Sequence, residues 1–346
     1  MPDGGVQQHL QGEGEIDIAK IIQINIKTHF AEGDVNVYVI LGDPVTLVDT
    51  GLPTEESVQQ LRDGLAAVGL SFSDVGQIIV THMHLDHCGG VMAIQSEADV
   101  PVFVHERAKT VLTGGRREFD RTEAFMQAFV SQCGAVGLLN RSRQYREEVW
   151  KHIRYLKNGD TVLAGSDRFH VLEVPGHSQT DLCLWSPGTG DVFVGDYLLQ
   201  KISANAFISP PEPGDRERPK PLLQLRDSLN RARDLPWKMI YPGHGDPYLG
   251  HRQVINQRFL EQHERCEQIR RLLQAGPRTV YELSCAMFPW LKAGAVFLGL
   301  SEIQGHLDLL ESRGLVAAAQ QGDVILYRAC EGQGSAKRHC DNLSGG

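Results

Sequence analysis

The stretch Ile78-Ile79-Val80-Thr81-His82-Met83-His84-Leu85-Asp86-His87-Cys88-Gly89-Gly90 constrains this chain more than any other. A short β-branched run reads as a strand, and it empties into a loop with three imidazoles and a carboxylate within six residues. Gly89-Gly90 is expected to let the backbone turn tightly behind them. His82 and His84, two apart, can present their rings to one metal ion. Asp86 and His87 follow at once and can face a second. Imidazole and carboxylate are donors suited to zinc, with iron and manganese as alternatives. A lone histidine would be read as ordinary, but this density at a strand end rarely arises without a metal.

Three further segments repeat the pattern of an apolar strand followed by a polar residue beside Gly or Pro-Gly: Val174-Pro175-Gly176-His177-Ser178, Val194-Gly195-Asp196 and Tyr241-Pro242-Gly243-His244-Gly245. The inventory is then five histidines and two aspartates. Strands are expected at 21–26, 37–41, 45–48, 78–80, 102–104, 169–174, 182–185, 192–194 and 239–241. A helix opens at Thr54 and runs to about Val68, with Glu55 and Glu56 in its first turn where they suit the helix dipole. Another covers 222–233. Strands that first meander and then alternate with helices point to α+β layers, sheets flanked by helices.

The whole chain has 346 residues and a formal net charge of -9. That balance argues against generic DNA binding, for which a basic face is expected. No run of 18 or more apolar residues suggests a membrane span. The polar, Gly-rich beginning shows no secretory signal, and seven scattered cysteines without C-x-x-C read as reduced thiols of a cytoplasmic protein. Residues 1–15 and 331–346 read as disordered tails, and no internal repeat is seen.

Thr81-His82-Met83-His84-Leu85-Asp86-His87, Pro175-Gly176-His177-Ser178, Gly195-Asp196-Tyr197 and Pro242-Gly243-His244-Gly245, preceded by Leu47-Val48-Asp49-Thr50-Gly51, resemble in order and spacing the motifs of the metallo-β-lactamase-fold hydrolases. The resemblance covers about residues 18–250 and implies an αβ/βα four-layer sandwich with two divalent ions at one sheet edge. Carried over, His82, His84 and His177 hold one ion, and Asp86, His87 and His244 hold the second. Asp196 bridges them. Asp86 also serves as the catalytic proton acceptor beside a hydroxide shared by the ions, and Asp49 orients the ligand loop by hydrogen bonds. Two such ions about 3.5–4 Å apart lower the pKa of a shared water towards 7. Cys88 is expected to be a packing residue, and His105 a structural or rim residue.

Departures narrow the subfamily. Zinc β-lactamases place Cys where Asp196 stands, flavodiiron proteins carry Glu at the position of His84, and the family's lactonases carry Tyr where Leu199 stands. The catalytic region is taken as 16–251, with a helical insert at 106–158 over the active site. That insert, counted from Glu106 to Lys157, holds eleven Lys and Arg against six acids, a charge of +5. Its apolar residues Phe119, Phe125, Met126, Phe129, Val130, Leu138 and Leu139 are candidates to line an apolar channel. A basic, partly apolar cover suits a small anionic substrate with a hydrophobic part, such as an acyl thioester of a phosphorylated carrier.

Residues 252–330 are expected to form a helical, winged-helix-like domain: helices at 252–274, 278–288 and 301–312, then a hairpin of 314–319 and 324–328. The arrangement is similar to that of the β-lactamase-like protein 2 subgroup of these hydrolases. Its candidate recognition helix, 301–312, carries Glu302, Asp308 and Glu311 and no Lys or Arg, whereas phosphate contacts need cations. A packing or homo-oligomerisation role is therefore expected, without DNA. The leading expectation is a dinuclear metal hydrolase of an ester or thioester. The alternatives are an RNA or nucleotide phosphodiesterase and a non-catalytic regulatory binding protein.

Overall fold

Alternating side chains decide where each strand lies. In β3 (Val35–Ile40) all six residues are buried, because Val35, Val37 and Val39 point to one face while Tyr38 and Ile40 point to the other. Such a strand needs a layer on each side. In the computed structural model, which describes residues 7–8, 21–30, 32–138, 144–292 and 295–330, both layers are present. Both expected tails lie almost wholly outside those residues.

The first sheet takes its strands in chain order: β1 (Gln7–Gln8), β2 (Ile21–Ile26), β3, β4 (Thr46–Val48), β5 (Gln77–Ile79), β6 (Val102–His105) and β7 (Ile153–Leu156). The second has β8 (Thr161–Ala164), β9 (Asp167–Glu173), β10 (Leu182–Trp185), β11 (Val192–Gly195) and β12 (Ile240–Pro242), in reverse order across the sheet. The sheets meet through Tyr38, Ile40, Val48, Ile79, Phe169 and Phe193. Helices α1 (Glu55–Ala66), α2 (Leu85–Cys88) and α3 (Val91–Gln95) lie along the first sheet, whose outer face packs on Leu61, Leu65 and Ile94. Thr54 caps α1, its hydroxyl accepting from the Ser57 amide at 3.2 Å, a contact of about 1 kcal/mol. The expected four layers are thus present.

Helix α4 (Ala108–Gln132) follows β6, and α5 (Pro221–Arg233) and α6 (His251–Leu273) cover the second sheet. Then come β13 (Arg278–Thr279), α7 (Val280–Met287), α8 (Val296–Ser312), β14 (Val316–Gln321) and β15 (Val324–Ala329), the last two joined antiparallel in a small sheet ordered β13-β15-β14. One apolar core runs through β11, α4, α5, α6, α7, α8 and β15 without a break between the catalytic layers and the C-terminal elements.

Three expectations need correction. The insert 106–158 is helical only to Gln132 among the described residues; Ile153–Leu156 joins the first sheet beside β6 instead. Of the proposed channel residues, Phe129 and Val130 are core, and Phe125 and Leu138 pack on that core; Leu139, Arg141 and Arg143 lie outside the described residues. Helix α8 starts five residues before the expected 301, and from 299 to 310 every residue except the half-buried Glu302 is buried. It is enclosed by α5, α6 and α7, and even its polar Ser301, Gln304, His306 and Asp308 are buried there.

Candidate metal centre

Strands β4, β5 and β6 run parallel, as do β11 and β12, so their C-terminal ends share an edge. The seven residues singled out from the sequence all arrive there. β5 delivers His82, His84, Asp86 and His87, the loop between β9 and β10 delivers His177, β11 delivers Asp196, and β12 delivers His244.

His82, His84 and His177 bring one donor atom each within 4.8 Å of one another, as do His82, His87 and Asp196, and Asp86, His87 and His244. Asp196 stands between the groups. Its Oδ1 is 3.4 Å from His87 Nε2, and its Oδ2 is 3.4 Å from His244 Nε2 and 3.7 Å from His177 Nε2. Asp86 Oδ2 is 3.3 Å from His244 Nε2 and 3.7 Å from His87 Nε2. Nitrogen ligands about 2.0–2.1 Å from a tetrahedral ion lie roughly 3.3–3.4 Å apart, close to these separations.

The outward ring nitrogens are tied down. His87 Nδ1 donates to Asp49 Oδ2 at 2.8 Å, His177 Nδ1 to the Asn205 carbonyl at 2.9 Å, and His244 Nδ1 to the Asp34 carbonyl at 2.9 Å. Protonation at Nδ1 leaves each Nε2 with a lone pair, the tautomer a metal ligand needs. Yet Nε2 of His82, His87 and His244 and Oδ1 of Asp196 are buried without a hydrogen-bond partner. A buried polar atom left unpaired costs about 1–3 kcal/mol. All four belong to the donor groups at this edge, an arrangement that fits cations.

The electrostatics agree. Burial pushes His82 far below the usual imidazole range and His84 down to about 3, each helped by neighbouring imidazoles. Burial opposes the charge of Asp196 too, but His87 and His244 hold its carboxyl well below the ordinary range. His244 goes the other way: the carboxylates of Asp196 and Asp86, 3.4 and 3.3 Å from its Nε2, overcome its burial and raise it to about 10. The two carboxylates therefore demand positive charge at this point, which divalent ions would supply.

Asp49 lies behind His87. It is buried with φ 65, accepts from the Thr81 amide at 2.7 Å and hydroxyl at 2.8 Å, and holds His87. Cys88 is buried, and burial raises its thiol. His105 is buried, its Nδ1 accepting from the Arg107 amide at 2.9 Å. The reading of Gly89-Gly90 changes: their φ values, -66 and -79, are ordinary helical ones. A Cβ on Gly89 would lie 2.3 Å from Pro53 Cδ, and one on Gly90 would lie 2.3 Å from the Thr50 carbonyl. Close approach, not turning, demands glycine there. Gly243 is bare for a similar reason, since its Cβ would meet Asp196 Oδ1 at 2.3 Å and His87 Cε1 at 2.6 Å.

The sequence reading missed the residues behind the centre. Asn205 accepts from His177 through its backbone and donates its Nδ2 to the Leu298 carbonyl of α8 at 2.8 Å. Phe207 sets its ring edgewise to His84 and His177, with centroids 5.1 and 5.4 Å away, and stacks on Phe297 of α8. Asp181 accepts from the Ser178 amide at 2.6 Å and braces the loop of His177. A lone Asn or Phe in a loop carries no spacing signal. Asp181, four residues after His177, could have been noticed.

The chain belongs to the metallo-β-lactamase superfamily, whose family model matches residues 31–244. It is similar to a Bacillus subtilis protein described as a probable metallo-hydrolase, 32% identical over 314 residues, which are 89% of this chain and 97% of that one. A human acyl-coenzyme A thioesterase is 26% identical over 169 residues, 47% of this chain and 58% of the relative. Among solved structures, a metallo-β-lactamase family protein of Thermus thermophilus superposes with a TM-score of 0.76 at 25% identity, covering 90% of this chain and 98% of that one.

Proposed function

We propose that the chain is a metal-dependent hydrolase of an ester or thioester bond in a small anionic substrate. The convergence of seven donors, four of their buried atoms unpaired, carries this reading. His82, His84 and His177 would hold one ion, Asp86, His87 and His244 the other, with Asp196 shared; zinc suits this nitrogen and carboxylate set. Two such ions, when bound, supply Lewis acidity and lower the pKa of water towards 7.

The protein's own groups do the rest. Asp49 and the carbonyls of Asn205 and Asp34 hold His87, His177 and His244 in one tautomer and orientation. Asp86 is the more open of the two carboxylates, its side chain 12% exposed against 4% for Asp196. It faces the imidazoles through Oδ2, which leaves Oδ1 to take the proton of the attacking water and pass it to the leaving group. Water oxygen adds to the carbonyl carbon, the C–S or C–O bond breaks, and an acid and a thiol or alcohol leave. The similarity to a named thioesterase supports the thioester over the plain ester.

Free, buried Cys88, Cys133, Cys183 and Cys266 support a reducing, cytoplasmic setting, and among the described residues no helix is long and apolar enough to cross a membrane. The enclosure of α8 supports a packing role for 252–330. The test pairs metal analysis with a panel of thioesters, esters and phosphodiesters. Two equivalents of metal per chain and thioester turnover lost in His84→Ala are expected. Full turnover in metal-free protein, or in His84→Ala, overturns the reading.

A further inference from the structure

A cleft of about 750 Å³ lies against the first half of α4, and none of the seven donors lines it. Four cations line it: Arg107, Lys109, Arg117 and Arg121. They are not equivalent. Arg121 is neutralised and fixed by Glu118, with Nη2 to Oε1 at 2.6 Å and Nε to Oε2 at 2.8 Å, and it also donates to the Pro211 carbonyl. Lys109 and Arg117 form no ion pair among the described residues. Arg107 directs Nη1 to the neutral amide of Gln179 at 3.2 Å. Glu106 and Glu212 share the wall, and Glu212 is engaged by the Thr110 hydroxyl at 3.2 Å. Cations outnumber carboxylates here although the whole chain carries -9.

Two features tie the cleft to the chemistry. Gln179, the partner of Arg107, is two residues from His177, so a residue of the cleft wall reaches the loop that carries one of the seven donors. The wall is also shaped by a break in α4 at Gly115, whose φ of 54 and ψ of -144 no side chain tolerates well. Gly114 lines the cleft at this break and leaves the backbone bare there. Lys109 and Arg117 stand on opposite sides of that break in α4, and both line the cleft. A ligand bearing several phosphates can meet both, and the volume falls in the range of about 300–1,000 Å³ that encloses small ligands.

We propose that this cleft binds the phosphate-bearing portion of the substrate, a phosphorylated thiol carrier, while the thioester carbonyl reaches the metal centre. The proposal rests on the hydrolase reading for its acyl half only. Binding of the carrier itself is independent of turnover.

The test uses the full chain loaded with metal, with free coenzyme A as probe, titrated by calorimetry at low and high salt. Micromolar binding that weakens with salt is expected, as is at least tenfold weaker binding in Lys109→Ala/Arg117→Ala, since both side chains are exposed and their loss leaves folding intact by circular dichroism. The selectivity ratio of kcat/KM for acetyl-coenzyme A over S-acetylcysteamine should fall about tenfold in the same variant, through KM. Binding lost in the variant while neither thioester is hydrolysed by the parent sinks the hydrolase reading and sustains the cleft. No binding to the parent at low salt, equal binding in the variant, or single-stranded RNA displacing coenzyme A with higher affinity overturns the proposal. A charge-reversed Lys109→Glu gives the same answer should the double variant misfold.

Discussion

Asp49→Asn is the sharpest probe of how the centre is held. The substitution keeps size and suits the backbone, because Asn tolerates the positive φ of 65 that Asp49 adopts. The carboxylate accepts three hydrogen bonds, two from Thr81 and one from His87 Nδ1. An amide can still accept from the Thr81 backbone through Oδ1. It must then turn an NH2 group towards the positions of the Thr81 hydroxyl and His87 Nδ1. The hydroxyl can rotate to accept, but His87 cannot accept without moving its proton to Nε2, which aims that proton at the metal position. Losing a charge-assisted hydrogen bond costs about 1.5–3 kcal/mol, and outer partners of metal-bound histidines are worth roughly 10–100-fold in affinity. The expected outcome is a 10–100-fold loss of affinity at the position served by His87, measured by competition with a chromophoric chelator, alongside a modest fall in the melting temperature of the metal-free protein. Metal affinity within twofold of the parent, with stability unchanged, would refute the argument that Asp49 governs the tautomer.

Two other predictions concern stability. Arg218 forms a bidentate pair with buried Asp308 of α8, at 2.8 and 2.7 Å; Arg218→Ala should destabilise by about 3 kcal/mol in urea unfolding, because the carboxylate then loses its charged partner, and an effect below about 1 kcal/mol would contradict this. His105 is lowered to about 4 by burial, with Arg107 adding to the shift and Glu173 opposing it. Its folded pKa is depressed below the ordinary 6.5, so the unfolded chain binds a proton first. Stability from this residue is present above pH 6.5 and is lost as pH falls towards 4. Between pH 7 and 5 the loss is about 2 kcal/mol. His105→Gln should flatten the acid limb of the stability profile by that amount; an unchanged slope would count against it.

How much of this was legible in the sequence depends on whether the signal was local. His82 to His87 stand within one strand end, and His177, Asp196 and His244 repeat the strand-end pattern, so the convergence of these seven donors could be inferred without structure. The capped helix at Thr54 and the strand Leu182–Trp185 were equally plain. Residues acting across the fold were not. Asn205 meets Leu298 over 93 positions, and neither has neighbours that advertise it. Strand β7 was hidden by its exposed Arg154 and Tyr155 at the sheet edge, where charge resembled a helix face. β8 alternates exposed and buried residues and was also missed. Early α8 was missed because an enclosed helix loses the polar stripe by which helices are recognised.

The brace from α8 to the centre has a consequence for the order of events in synthesis. The chain makes all seven donors before residue 245, yet the Leu298 carbonyl that steadies Asn205, and through it His177, is translated more than fifty residues later. A nascent chain stalled between these points has all seven donors and lacks the strut that steadies His177. Completion of the centre therefore waits on the last helix to leave the ribosome, and a premature stop well downstream of the chemistry would still leave the centre without its support.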